Sequence, residues 1–312
     1  MKCLCCGKPL LEESKCGWHE NCVKRFFGTS SFPDIEIGEK ELESIVSKSV
    51  KKGLTIPGVQ KKLSLHLSSE HHHSRLTLID YPTGYILKPQ VKDFSHLPEC
   101  EHLVMSMADI TGIKTVPHAL IKKGNTYAYI TKRIDRIIKE SDVQKIAMED
   151  FCQLDMRLTA DKYKGSYERC AKVIKRYSSQ ASLDVSELFL RLVFAFATGN
   201  SDMHLKNFSL IENEKGYVLS KAYDLLPVNL VMPSDNEEFA LAMNGKKTHI
   251  RKKDFLVFAK EFDIPLAAAQ KIISSVLSRK EEYIDMIKDS FLSSDEKNRF
   301  IGLLNARLKV LE

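Results

Sequence analysis

One change of pattern limits what this chain can fold into. Apolar residues alternate in short runs at Lys62–Leu67, Arg75–Ile79 and Tyr85–Lys88, with the turn Tyr81-Pro82-Thr83-Gly84 before the last. Ile113–Ile121 and Tyr127–Thr131, around Gly124-Asn125, continue the pattern. Period-two alternation bounded by turn residues predicts half-buried antiparallel strands. One helix precedes them, Lys40–Lys51, with Leu42, Ile45, Val46 and Val50 apolar among charges, and one interrupts them, Glu99–Thr111, which stops at Gly112. From Ala147 onward helical spacing dominates. Strands first and helices after predict an α+β chain of two lobes, and 312 residues have room for both.

In the helical half, Asp184 with Glu187 three residues on has the form of a capping box. Val185, Leu188, Phe189, Leu192, Val193 and Phe196 then make one apolar face, and Gly199-Asn200 ends the helix. Two apolar runs between Phe208 and Ser220 flank Asn213-Glu214-Lys215-Gly216, a hairpin with a loop of four or five residues. Asp254–Leu311 is helical again.

A composition of 43% hydrophobic and 28% charged residues excludes disordered and fibrous classes. Lys8, Glu12 and Glu13 interrupt any export signal, and the most apolar stretch, Leu188–Thr198, is short and carries Arg191. A cytoplasmic protein with no membrane partner is expected. The net charge of +6, from 47 basic and 41 acidic residues, is densest at Lys246, Lys247, Arg251, Lys252 and Lys253. Such a patch reads as a solvated face, not a nucleic-acid footprint.

Five of the eight cysteines, Cys3, Cys5, Cys6, Cys16 and Cys22, fall in the first 22 residues. Clustering of this kind in a reducing compartment favours a metal over disulfides. Cys3-x2-Cys6 and His19-x2-Cys22 supply two chelating pairs at knuckle spacing, the donor set of a structural zinc. Cys16 can replace His19, and Cys5 is spare; the alternative is a metal-free cysteine-rich tail. The turn run Gly28–Asp34 closes this segment. The expected organisation is a zinc-binding knuckle at 1–30, an N-terminal lobe at 31–130 and a helical lobe at 131–312.

The chemistry concentrates in Gly199-Asn200-Ser201-Asp202-Met203-His204-Leu205-Lys206-Asn207-Phe208, polar residues between a buried helix and a hairpin. Asp202 and Asn207 have the spacing of the base and the metal-binding amide in a kinase catalytic loop. Asp224 follows the hairpin. Phosphoryl transfer needs one carboxylate to orient the attacking hydroxyl and separate oxygen ligands for magnesium, so Asp202 suits the first role and Asn207 with Asp224 the second. This requires the hairpin to fold back on its own start. Lys88, at the end of an apolar strand, suits a phosphate ligand, and Glu101 can pair with it. His71-His72-His73 reads as a solvated loop, and Cys152 and Cys170 as small core residues.

Gly58-Val59-Gln60-Lys61-Lys62-Leu63, Ile86-Leu87-Lys88-Pro89, Ile130-Thr131-Lys132-Arg133-Ile134-Asp135-Arg136, Glu149-Asp150-Phe151-Cys152-Gln153 and Gly199–Leu210 stand in one order. In that order they resemble the HipA family of kinase-like Ser/Thr phosphotransferases, known as toxins of toxin–antitoxin modules. The likeness runs from about residue 40 to the C-terminus. The Cys/His-rich start is similar to HipT-like proteins encoded without the usual first subdomain.

The resemblance implies a two-lobed HipA-type kinase fold using ATP and Mg2+. Asp202 would be the catalytic base, Asn207 and Asp224 the magnesium ligands, and His204 a support of the loop. Lys88 and Lys62 would reach the nucleotide, Gly58, Val59 and Gln60 would form the phosphate loop, and Ile130, Lys132 and Ile134 the adenine hinge. Lys132 and Ile134 stand where Glu and Phe are common in the family. Thr55 and Pro57 occupy the positions of the autophosphorylated segment, and only Thr55 has a hydroxyl. Implied partners are a protein substrate, such as an aminoacyl-tRNA synthetase, a HipB-like DNA-binding antitoxin and a small HipS-like protein supplying the missing subdomain. The alternatives are a small-molecule kinase, distinguished by a small acceptor pocket, and a non-catalytic binder of nucleic acid or partner.

Overall fold

The computed structural model describes residues 1–10, 16–36, 62–70, 73–77, 84–139 and 142–312. The chain divides into two compact units, Met1–His102 with Val116–Lys145, and Leu103–Thr115 with Ile146–Glu312. The first is β-rich and the second mostly helical, as the change of pattern predicts.

The first unit opens with helix α1 (Glu20–Phe27), ended by Gly28 at a φ of 79°. A six-stranded sheet follows: β1 (Asp34–Glu36), β2 (Leu63–Glu70), β3 (His73–Thr77), β4 (Tyr85–Pro89), β5 (His118–Lys123) and β6 (Thr126–Lys132), in the order β1-β3-β2-β4-β6-β5. All pairings are antiparallel except β1 with β3. β7 (Arg136–Lys139) and β8 (Asp142–Lys145) form a separate hairpin. Helix α2 (Leu97–Thr111) begins in this unit and ends in the other. In β4, Tyr85 and Lys88 are an odd number of residues apart and so lie on opposite faces. The Tyr85 ring packs on Phe26 and Phe27 of α1, at 5.9 and 5.4 Å between centroids.

The expected strand Ile113–Ile121 begins only at His118. Pro117 has no N–H for a ladder, and its carbonyl accepts from the Lys132 N–H at 3.0 Å and from the Thr131 hydroxyl at 2.9 Å. The expected helix Lys40–Lys51, the turn residues 81–83 and His71-His72 lie outside the described residues.

From Ile146 the second unit continues with strand β9 (Met148–Asp150), which pairs with β10 (Ser209–Asn213). The helices α3 (Phe151–Leu154), α4 (Tyr167–Tyr177) and α5 (Ala181–Thr198) follow. β10 and β11 (Gly216–Leu219) form the expected hairpin, with Asn213 opposite Gly216 and a tight two-residue connection instead of the longer loop. After them come α6 (Val228–Val231), α7 (Lys252–Glu261), α8 (Leu266–Leu277), α9 (Lys280–Lys288) and α10 (Ser294–Leu311).

Helix α5 is buried almost all round from Leu188 on, with Phe189 near Phe258 and Phe196 near Phe255 at 6.3 and 5.6 Å. Such a helix needs no polar face. It starts at Ala181, so Asp184 is no N-cap but a buried residue inside the first turn. Its carboxylate accepts from Ser178 Oγ (2.6 Å), Gln180 Nε2 (2.8 Å) and the Leu219 N–H (2.7 Å), tying α4, α5 and β11 together. The helix ends at Gly199, where φ is 67° and a Cβ would lie 2.6 Å from Leu303 Cδ2. Only glycine fits that position. Cys152 and Cys170 are buried, as expected of core residues. The basic patch is solvated and acid-paired: Lys246 meets Asp254 at 2.7 Å and Lys247 meets Glu237 at 3.3 Å. Among the described residues no helix is long and apolar enough to cross a membrane.

Candidate active-site groups

In the first unit, Lys88 is 1% exposed on β4, which lies between β2 and β6. A buried ammonium is tolerated only when paired. Its Nζ donates to Glu101 Oε1 at 2.5 Å, and Glu101 is wholly buried. The ammonium also lies 5.2 Å from the ring centre of Tyr129, the residue opposite it on β6. Beside this pair His102 and His118 meet Nδ1 to Nδ1 at 3.0 Å. Burial, with His118 alongside, holds His102 well below the usual imidazole range.

Of the expected hinge, Ile130 is buried in β6, Lys132 is half-buried at its end, and Ile134 lies just beyond. Burial lowers the Lys132 ammonium. The segment is clamped by Asp135, which accepts from Arg133 at 2.9 and 2.7 Å and from Arg136 at 2.5 Å. Lys62 is exposed just before β2; Thr55, Gly58, Val59 and Gln60 lie outside the described residues.

In the second unit, the polar loop leaves α5 at Gly199 and closes on itself. The Asp202 N–H donates to Asn200 Oδ1 at 3.2 Å, and the His204 N–H to Asn207 Oδ1 at 3.2 Å, while the Asn207 N–H returns to the His204 carbonyl at 2.9 Å. That reciprocal pair fixes Asn207, which is 5% exposed, and leaves its amide oxygen a second lone pair. Ser201 Oγ donates to Asp235 at 2.6 Å, and Asn229 bridges the two with bonds to Ser201 Oγ (3.3 Å) and the Asp235 carbonyl (3.1 Å).

Asp202 is the carboxylate of this loop: burial pushes it up to about 6, with Asp224 and Asp235 adding to the rise. Opposing the rise are a hydrogen bond from Tyr163 OH to Oδ1 at 2.8 Å and the nearby Lys162. Sequence spacing did not single out Tyr163. The loop Asp161-Lys162-Tyr163-Lys164 between α3 and α4 is carried against the polar loop by the Lys162 carbonyl, which accepts from the Leu205 N–H at 3.2 Å. The Tyr163 ring then stands edge-on to His204 at 5.0 Å. A neighbouring Lys-Tyr-Lys run is the sole local signal, and it does not distinguish this tyrosine from an exposed one.

The hairpin does fold back on its start. The Ser220 N–H donates to the Ser209 carbonyl at 2.8 Å, and Tyr223 OH meets Ser209 Oγ at 2.5 Å and the Lys206 carbonyl at 3.1 Å. Tyr223, also unremarked in the sequence, therefore pins the strand exit to the loop holding Asp202 and Asn207, and Asp224 is the next residue. Asp224 has a φ of 56°, rare for a side chain with a Cβ. Strain of that kind persists where the surroundings over-determine a residue, a recurrent property of functional positions. Lys206 is drawn away from the carboxylates by Asp150, at 2.6 Å.

At the N-terminus, Cys3, Cys6, His19 and Cys22 come together with all ligand atoms within 4.8 Å of one another. Cys5 and Cys16 are not in that group.

The α+β architecture is the kinase-like fold of HipA proteins: the HipA of Shewanella oneidensis, solved in complex with HipB and its operator DNA, matches with a TM-score of 0.73 at 20% identity, over 88% of this chain and 70% of that one. The chain belongs to the HipA-like C-terminal domain family, whose model matches residues 54–284. Among its relatives, "Putative kinase Y4mE" of Sinorhizobium fredii is 26% identical over 271 residues, covering 83% of this chain and 63% of that protein. A "Putative kinase" of Haemophilus influenzae is 25% identical over 311 residues, covering 89% of this chain and 88% of that protein. The chain thus spans under two thirds of the Sinorhizobium relative.

Proposed function

We propose that this protein is an ATP- and Mg2+-dependent protein serine/threonine kinase acting as a HipA-like toxin. The observation that carries the reading is the grouping of three oxygen donors in one unit: Asp202 and Asn207 on a self-closed loop, and Asp224 held beside it by Tyr223. The donor set fits magnesium, which prefers carboxylate and amide oxygens. Asn207 Oδ1 and the Asp224 carboxylate would hold the ion, which when bound neutralises charge on the transferred phosphoryl group.

Asp202 supplies the base. Its Oδ1 is occupied by the Tyr163 hydroxyl, so Oδ2 is the atom that accepts the proton from the acceptor Ser or Thr. The acceptor oxygen bonds to the γ-phosphorus as the bond from that phosphorus to the β-bridging oxygen breaks, giving a phosphoester and ADP. With a pKa of about 6 the carboxylate is roughly 90% ionised at pH 7, yet close enough to neutrality to take a proton readily. His204 braces the loop through its backbone and against Tyr163. Lys88, oriented by Glu101, supplies the fixed positive charge for the nucleotide phosphates, while Lys62, Gly58, Val59, Gln60 and the Ile130–Ile134 segment complete the nucleotide contacts that the family resemblance implies. Thr55 is the residue proposed for self-phosphorylation.

For partners, we extend the same reading to a HipB-like DNA-binding antitoxin, a small HipS-like protein and a protein target in translation, such as an aminoacyl-tRNA synthetase, in the cytoplasm. The test is transfer from labelled ATP with Mg2+ in a lysate, wild type beside Asp202→Asn, with mass spectrometry of labelled bands. Label on a foreign protein, lost in the variant, supports the kinase and identifies the target. Absence of any label from protein that binds ATP would overturn the protein-kinase reading.

A further inference from the structure

The N-terminal cluster lies outside the phosphoryl-transfer groups and has a chemistry of its own. We infer that Cys3, Cys6, His19 and Cys22 bind one Zn2+, and that this ion closes the exposed edge of the six-stranded sheet.

Three independent features support the site. The first is the separation of the donors. Zn–S bonds of about 2.3 Å and Zn–N bonds of about 2.0 Å in a tetrahedron place sulfur and nitrogen roughly 3.5 Å apart, and two sulfurs roughly 3.8 Å apart. Cys6 Sγ is 3.4 Å and Cys22 Sγ 3.9 Å from His19 Nδ1, and all four ligand atoms lie within 4.8 Å.

The second is the orientation of the imidazole. His19 Nε2 stands 3.1 Å from the Pro9 carbonyl, an acceptor with no hydrogen to give, so Nε2 carries the proton. Nδ1 then turns its lone pair on the three sulfurs. A carbonyl on the far nitrogen is the usual support of a metal-bound histidine.

The third is the backbone that presents the ligands. The Gly7 N–H donates to the Cys3 carbonyl and the Cys3 N–H to the Lys8 carbonyl, both at 2.9 Å, making the tight turn that aims Cys3 and Cys6 the same way. His19 is the N-cap of α1 and Cys22 lies in its first turn, three residues on, so both face one side of the helix. The His19 N–H also points at Cys3 Sγ at 3.4 Å. Gly17 joins the halves at a φ of 73°, where a Cβ would press on Leu4 at 3.0 Å. Cys16 turns instead toward the Trp18 carbonyl at 3.9 Å, which decides between the two candidate fourth ligands in favour of His19. Three thiolates and one imidazole with no open position are the donor set of a structural zinc.

The structural role follows from what the knuckle touches. β5 is an edge strand, and unpaired edges recruit other chains. Leu4 and Trp18 occupy that edge at one residue: the Leu120 N–H donates to the Leu4 carbonyl at 2.8 Å, and Trp18 Nε1 donates to the Leu120 carbonyl at 2.9 Å. Trp18 is 1% exposed and packs on Phe26 and Phe27, which reach Tyr85 of β4, the strand that carries Lys88. Leu4 follows Cys3 directly and Trp18 directly precedes His19, so each is next to a ligand. With the ion gone, the cap loses one of its ties and keeps the Leu120 hydrogen bonds, the bond from the Leu4 N–H to the Gly17 carbonyl at 2.9 Å and the packing of Trp18 on Phe26 and Phe27.

The test is metal content by elemental analysis of the full chain, with Co2+ substitution as a spectroscopic probe, neither of which depends on phosphoryl transfer. One zinc per chain is expected, and a visible d–d and thiolate-to-cobalt spectrum of tetrahedral type after exchange. Cys6→Ser should lose the metal; His19→Cys, Cys5→Ser and Cys16→Ser should each keep one equivalent. Chelation of the wild-type ion should lower the melting temperature and start aggregation through the bared β5 edge. Metal-free protein that gives no cobalt spectrum, iron in place of zinc, or equal loss from Cys5→Ser and Cys6→Ser would overturn the assignment.

Discussion

Replacing Asp202 by asparagine is expected to stabilise the protein while silencing phosphoryl transfer. In the folded state the Asp202 carboxyl is pushed from 3.8 up to about 6, chiefly by burial. A tenfold change in proton affinity is about 1.4 kcal/mol, so the displacement corresponds to roughly 3 kcal/mol of lost stability when the group is ionised. The side chain retains some solvent contact, and screening reduces the working value to about 2 kcal/mol. The sign follows from proton binding. Above pH 6 the carboxylate is charged in both states, and the full penalty of holding it in the fold is present. Between pH 6 and 3.8 the folded group takes up its proton first and the penalty fades; below 3.8 both states are neutral and it is gone.

Asparagine keeps the shape and an oxygen for the Tyr163 hydroxyl but carries no charge. The variant should therefore melt higher than wild type at pH 8, by about 4–8 °C for a unit of this size. The gap should shrink steadily toward pH 4.5. Thermal denaturation followed by circular dichroism across that range reads it directly. A variant no more stable than wild type at pH 8, or a gap that ignores pH, would refute the argument that Asp202 is held against its own burial.

Two further outcomes follow from the same geometry. Tyr163→Phe removes a hydrogen bond to a charged carboxylate, an interaction of about 1.5–3 kcal/mol, so the acid limb of the kcat–pH profile should rise by about one pH step; an unmoved limb would mean that Tyr163 does not tune the base. Lys88→Met should cost about 3–5 kcal/mol because it takes the ammonium away from the buried Glu101 carboxylate, whereas Lys88→Met with Glu101→Leu should recover most of that stability and still transfer no phosphate. Melting of the single and double variants checks this, and a double variant as unstable as the single would rule out the ion-pair account.

Much of the candidate site was legible because its parts are short in sequence. Asp202 and Asn207 share one loop, and the glycines at 112 and 199 end helices where the periodicity stops. Lys88 and Glu101 were paired through the likeness to kinases, and the cysteine spacing alone left His19 and Cys16 as rivals. Those rivals were separated only when α1 turned His19 toward the sulfurs and the Pro9 carbonyl took its far nitrogen.

What the sequence by itself determined is what backbone hydrogen bonding and side-chain periodicity encode over a few residues: strands at period two, the buried helix α5, the hairpin, and the Cys/His pairs at knuckle spacing. Only the tertiary structure decided what depends on which faces meet. Asp184 looks like a helix cap, but carboxylates cap only where no better donors reach them, and Ser178, Gln180 and Leu219 reach this one. Tyr163 and Tyr223 are ordinary tyrosines until distant backbone carries one onto Asp202 and the other onto Lys206. Burial, which sets the protonation of Asp202 and forces Lys88 onto Glu101, is a property of the packed chain; no local pattern contains it.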